Sequence, residues 1–249
     1  MKIFLLMIMS NLAIGAHFPE GNEKQDGNPY FITRLFKTID ETHSIVTTVD
    51  LRKEDKRNEG NANISLRRNV SRFVQYGFEA DLNYGHRHDN DWQQNTSTGN
   101  WSWKKSSENI DFGSSLFLKL RRDISIKEKL FTGSVNLKTH NNWTKTLLTL
   151  KPELILTYHH FDAGAHKYNI YFKNSYYIPL NYSSKDIYIS WYYLGWMFNY
   201  SKQVKPFAFI AYKDQTWTKS KDFKRAHPDE NYELSSKFSY LGVGFNYYF

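Results

Sequence analysis

The feature that constrains this chain most is a two-residue alternation carried through to its last residue. Leu241, Val243, Phe245, Tyr247 and Phe249 fall on one face of a strand, and Gly242, Gly244, Asn246 and Tyr248 fall on the other. Successive side chains of a strand point to opposite faces, so this segment presents one apolar face and one small or polar face. The pattern recurs upstream, most regularly with Val74, Tyr76, Phe78, Ala80, Leu82 and Tyr84 against Gln75, Gly77, Glu79, Asp81 and Asn83. Strands of water-soluble proteins typically run about 5–6 residues. A tilted strand crossing a bilayer needs about 9–11, and that is the length these alternations keep.

Eight further segments have the same period or an ambiguous version of it. Ile45 to Arg52, Ala62 to Arg67, Ile110 to Lys119, Phe131 to Lys138, Leu148 to Thr157 and Tyr168 to Ile178 alternate cleanly. Residues 187–200 are apolar on both faces, which predicts a bulge or a covered inner wall, and 206–217 fit either register. Together with the first two segments they make ten strands beginning near Ser44. Residues 30–38 can supply another. Even strand numbers are the rule for single-chain bacterial barrels, so ten is favoured within a range of ten to twelve. The predicted fold is an all-β, transmembrane, antiparallel up-and-down barrel over residues 43–249, with 17–42 as an extra strand or a periplasmic or lumenal segment.

A mean hydropathy of −0.65 with 40% hydrophobic residues is compatible with this fold, because only alternate residues of each strand meet lipid. The aromatic content of 17% suits the two interfaces, where Tyr and Trp bury the ring and keep the polar tip wet. Residues 1–16 have the layout of a secretory signal. Lys2 precedes an apolar stretch from Ile3 to Met9, and Ala13, Gly15 and Ala16 offer a cleavage site. The chain has no cysteine, which favours a bacterial envelope over a secreted animal protein of this size. The net charge of +8 is spread along the chain rather than gathered on one basic face, which argues against nucleic acid.

The terminal strand resembles the assembly signal of Gram-negative outer-membrane proteins, whose final residue is typically Phe. Residues Leu241, Val243, Phe245, Tyr247 and Phe249 carry that resemblance. It implies a bacterial outer-membrane location, with the lipid and the barrel-assembly machinery as partners. Placing Phe249 on the periplasmic side puts the long polar stretches 87–107 and 219–232 outside. The short connections at 69–71, 121–126, 161–165 and 201–205 then lie inside.

With the polar faces turned inward, Arg52, Arg67, Lys119, Lys138, Lys151, Lys173 and Lys213 line the lumen. Asp50, Glu79, Asp81, Asp111 and Glu153 join them. The acids lie mostly on the early strands and the lysines on the later ones, so opposite walls are expected to carry opposite charge. Charged linings set ion selectivity, and a basic excess favours anionic solutes. The same residues would plug a narrow barrel by pairing with one another.

The layout of the C-terminal third also resembles the small monomeric oligosaccharide-specific porins of the oligogalacturonate and sialic-acid type. There the run 195–200 (GWMFNY) leads through a short turn to Pro206 and Phe207, and a long polar loop precedes 240–249 (YLGVGFNYYF). That resemblance implies a twelve-stranded monomer with basic residues along the lumen for acidic sugars; no enzymatic activity and no cofactor are expected. Two other classes remain open. The Trp-rich loop 87–107 suits an adhesin or sugar platform. His86, His88, Asp89 and Asp91, or His227 with Asp229, would suit a hydrolase or, for the first group, a metal site. A solvated charged loop is by far the commoner reason for such residues, so no catalytic or metal role is assigned to them.

Overall fold

The computed structural model describes residues 23–54, 57–85, 92–94, 97–98, 101–103, 110–144, 146–183, 185–218, 225–226, 228–229 and 233–249. The strands, in chain order, are β1 (Glu23–Thr38), β2 (His43–Glu54), β3 (Arg57–Asn69), β4 (Val74–Tyr84), β5 (Trp92–Gln94), β6 (Trp101–Trp103), β7 (Ile110–Ile126), β8 (Lys129–Asn142), β9 (Leu147–Asp162), β10 (Ala165–Pro179), β11 (Ile189–Phe198), β12 (Val204–Thr218) and β13 (Glu233–Tyr248). All but β5 and β6 form one closed barrel, in which sequence neighbours pair antiparallel and β1 closes onto β13. The short pair β5–β6 is a separate hairpin in the long β4–β7 connection, with Trp92 opposite Trp103.

The barrel therefore has eleven strands, within the expected range but odd. Residues 30–38, left out of the favoured count of ten, belong to β1. Each hairpin reverses the chain, so after ten reversals the last strand runs the same way as the first. The β1–β13 seam is accordingly parallel, with Phe31 opposite Val243 and Phe36 opposite Tyr248. Parity holds only where closure must be antiparallel, and the backbone groups are satisfied either way. At the seam the Phe36 and Tyr248 rings stack at 4.6 Å, and the Phe249 N–H donates to the Phe36 carbonyl at 3.0 Å. The terminal aromatic segment thus pins the closing edge through both ring and backbone.

The alternation read from the sequence sets the two faces. Ile64, Leu66, Phe112, Leu116, Leu154, Leu156, Leu241 and Val243 all point outward and are at least half exposed. Exposed apolar surface on this scale marks a face that meets a membrane or another protein. Tyr76, Phe161, Phe198 and Tyr200 lie exposed toward the end bearing the short turns, and Trp143 toward the loop end.

Four glycines seat aromatic rings on the inner face. Phe209 lies opposite Gly242, Phe207 opposite Gly244, Tyr171 opposite Gly195 and Phe117 opposite Gly77. A Cβ at any of these glycines would fall within 2.6 Å of the facing ring. The missing side chain lets each ring lie flat across the neighbouring strand.

The connection expected at 121–126 is strand instead. β7 continues to Ile126, paired with Lys129. The alternation fades there because residues 121–126 are exposed on both faces. The turn is Lys127–Glu128, both at positive φ (45° and 65°), a hairpin geometry that favours Asn-Gly. Replacing this pair with Asn-Gly is expected to stabilise the barrel by about 1 kcal/mol. A rise in the urea midpoint is the readout, and an unchanged or lower midpoint would contradict it. In the β1–β2 turn the backbone N–H groups of Thr42 and His43 donate to Asp40 at 2.7 and 2.8 Å. Those bonds hold its carboxyl well below the usual range.

Candidate lumenal site

The inner faces divide the lumen into two unlike walls. β11, β12, β13 and β1 contribute Trp191, Phe207, Phe209, Phe238, Tyr240, Tyr30 and Ile32, all buried in one cluster. Tyr30 meets the Phe209 ring edge-on at 5.2 Å and the Tyr240 ring at 5.6 Å, and Trp191 stacks on Tyr193 at 5.4 Å. This is the covered inner wall anticipated from the doubly apolar 187–200 segment. Its extent across four strands was not, because β1 had been set aside and 206–217 had no settled register.

The other wall, from β2 to β10, is polar and charged. Opposite walls do not carry opposite charge, as the sequence suggested; acids and bases interleave on this one side. Lys138 of β8 reaches Glu79 of β4 at 2.5 Å, and Lys173 of β10 reaches Glu153 of β9 at 2.6 Å. Asn136 and Ser175 also donate to Glu153, at 2.8 and 3.1 Å. His140 lies 3.4 Å from Asp81, and Arg52 is 3.2 Å from Asp50. Linear order separated these residues, but folding pairs β4 with β7 and β7 with β8, which brings the side chains of β4 and β8 within reach of each other.

Between the walls is a cavity of about 590 Å³. Of the expected basic residues, Arg52, Arg67, Lys119, Lys138, Lys151 and Lys173 line it, as do the acids Asp50, Glu79, Asp81 and Glu153. Lys213 and Asp111 also face inward but are buried away from it. Lys213 packs beside the Trp191 and Phe238 rings at 5.6 and 5.7 Å. It is also 4.0 Å from Glu59, which Arg52 holds at 2.7 Å. Arg52, Glu59 and Lys213 thus brace β2 and β3 to β12 near the loop end.

Arg34 is a lining cation that sequence reasoning missed. The alternation of residues 30–38 was visible, but the parity preference left the strand unassigned and its inward face unread. Glu59 was missed because it lies beyond the clean part of its strand's alternation.

Toward the loop end the β10–β11 connection folds inward. Tyr182, Ser183 and Tyr188 are buried. Tyr182 Oη lies 2.8 Å from Thr149 Oγ1, Ser183 Oγ lies 2.8 Å from Thr218 Oγ1, and Gln215 donates to Tyr188 Oη at 2.6 Å. These bonds tie the connection to β9 and β12 and narrow that mouth.

Of the residues that resemble an assembly signal, Leu241, Val243, Phe245 and Tyr247 lie on β13, with Leu241 and Val243 facing outward, and Phe249 follows at the turn end. His86, His88, Asp89, Asp91 and His227 lie outside the described residues, as do residues 1–16, read from the sequence as a secretory signal. Among the described residues no group of three or more His, Asp or Glu is placed to hold a metal ion. No family model matches the chain, and no curated protein matches it.

Proposed function

We propose that the chain is a bacterial outer-membrane channel for passive diffusion of small solutes, with anions preferred. The exposed apolar belt and closed backbone support membrane insertion, since only a closed barrel satisfies strand hydrogen bonds within lipid. The barrel's size supports a lumen. Eight strands enclose just enough room for side chains and sixteen leave an aqueous pore, so eleven leave space that the aromatic wall only partly fills.

One observation carries the anion preference. The four carboxylates lining the cavity each have a partner: Arg52, Lys138, His140 and Lys173. Four lining cations, Arg34, Arg67, Lys119 and Lys151, have no carboxylate within 4.0 Å among the described residues. Seven Lys and Arg stand against four Asp and Glu around the cavity, and because Asp81 pairs with His140, four of the seven have no carboxylate partner among the described residues. The field an entering ion meets is therefore positive, which lowers the barrier for anions. The resemblance to oligosaccharide-specific porins of acidic sugars points the same way.

Planar-bilayer recording of the refolded protein tests this reading. Stepwise current is expected, with a reversal potential in a KCl gradient on the chloride side. Absence of current would remove the channel, and potassium selectivity would remove the charge argument.

A second reading, surface binding, is favoured by the β5–β6 hairpin, whose register sets Trp92 opposite Trp103 within the long β4–β7 connection. Deleting residues 91–104 should abolish glycan or cell binding if the hairpin is the binding element, and unchanged binding would count against it.

A further inference from the structure

We infer that Arg34, Arg67 and Lys119 form a discrete binding site for a tetrahedral oxyanion, the phosphate group of inorganic phosphate or of a small phosphate monoester. The inference rests on reading the lumen as a solute path and names what that path would hold. The three residues come from β1, β3 and β7 and line the same cavity. All lie toward the turn end. Arg34 is four residues from the end of β1 and Arg67 two from the end of β3, and Lys119 pairs with Gln75, the second residue of β4.

They are near enough that Arg34 acts electrostatically on Arg67, and Arg67 on Lys119. The carboxylates that also act on them, Glu79 and Glu153, are already engaged by Lys138 and Lys173 at 2.5 and 2.6 Å. Three like charges turned into one cavity repel one another, and a bound polyanion relieves that repulsion.

The guanidiniums are packed in place, and among the described residues most of their donors have no acceptor. Arg67 lies over the Phe117 ring at 5.9 Å and gives Nε–H to Ser65 Oγ at 3.0 Å. Arg34 lies over the Phe207 ring at 5.2 Å and gives one Nη1–H to Asn246 Oδ1 at 3.5 Å. Each guanidinium carries five N–H donors, so each keeps a fork of the kind that binds oxyanions bidentately. Donors arriving from three strands call for acceptors outside a single plane. A phosphate group presents them and a planar carboxylate, with two oxygens, does not.

The test is isothermal titration of the detergent-refolded barrel at low ionic strength with inorganic phosphate, glycerol phosphate and acetate. Saturable binding of one phosphate group is expected, with acetate much weaker. Comparison of the first two ligands separates the free anion from the monoester. Arg34→Gln and Arg67→Gln should each weaken binding by about tenfold, the loss expected for a charge-assisted hydrogen bond. Arg67→Lys should fall between wild type and Arg67→Gln, because it keeps the charge and loses the fork. Lys151→Gln removes a lumenal charge outside the cluster and should change binding less than about twofold. Circular dichroism checks that each variant is folded.

Absence of saturable phosphate binding would overturn the site. Equal weakening by Lys151→Gln would also overturn it, showing diffuse lumenal charge in its place. A protein that conducts without binding phosphate loses the site alone, and one that binds phosphate without conducting loses the channel reading alone.

Discussion

Gly244→Ala is expected to lower the stability of the barrel by about 1–3 kcal/mol, with the upper end more in keeping with the geometry. A Cβ at this position would stand 1.9 Å from the Ile32 carbonyl oxygen and 2.6 Å from the Phe207 ring. Ile32 is the Gly244 partner across the parallel seam, and Phe207 is its partner on β12. The ring can rotate aside. The carbonyl belongs to the seam backbone and can move only by stretching the hydrogen bonds that close the barrel. Gly133 on β8 provides the control, since a Cβ there meets nothing within 4 Å. Its replacement by Ala should be neutral or slightly stabilising, because Gly in a strand interior costs roughly 0.5–1 kcal/mol relative to Ala. Urea midpoints of the refolded proteins measure both. Equal midpoints for the two variants would mean that the seam does not depend on the bare α-carbon of Gly244.

Glu59→Gln should cost more, on the order of 3 kcal/mol, because removing one member of a buried ion pair leaves its partners' charge in a low-dielectric site. Glu59 is 2% exposed and joins Arg52 at 2.7 Å and Lys213 at 4.0 Å. Arg52 retains Asp50 at 3.2 Å, which offsets part of its loss. Pairing Glu59→Gln with Lys213→Met should recover part of that stability, since the cation is removed along with the carboxylate. A Glu59→Gln protein within 0.5 kcal/mol of wild type, on the scale of an ordinary surface change, would show that the brace does not hold the walls together.

The fold was legible in the sequence to the extent that it is local. Val74 to Tyr84 and Leu241 to Phe249 alternate because each strand separates an apolar outside from a polar inside, and the structure keeps every one of those faces. The breakdowns also had local causes. At 121–126 both faces are exposed, so nothing selected one residue type over another and a strand end looked like a turn. At 30–38 the alternation was present, but a parity rule about closure outweighed it, and Arg34 went unassigned with its strand.

The lining of the lumen was legible as a set of residues and illegible as an arrangement. Arg52, Arg67, Lys119, Lys138, Lys151 and Lys173 were each read as inward, since the pleat decides that within a few residues. Which of them are paired depends on stagger between strands far apart in the chain. Lys138 meets Glu79 across 59 positions of sequence, and no local pattern encodes that meeting. The same holds for the aromatic wall, assembled from β11, β12, β13 and β1, the two ends of the chain's strand order.

By itself, then, the sequence determined a two-faced strand repeated until it closes, and an apolar terminal strand ending at Phe249. Those follow from side-chain alternation, a property of the nearest neighbours. Only the tertiary structure decided that eleven strands close through a parallel seam, that the lumen has one aromatic and one charged wall, and that four cations lining the cavity lack carboxylate partners among the described residues. Each of these depends on distances across the barrel, and those exist only once the circle is shut.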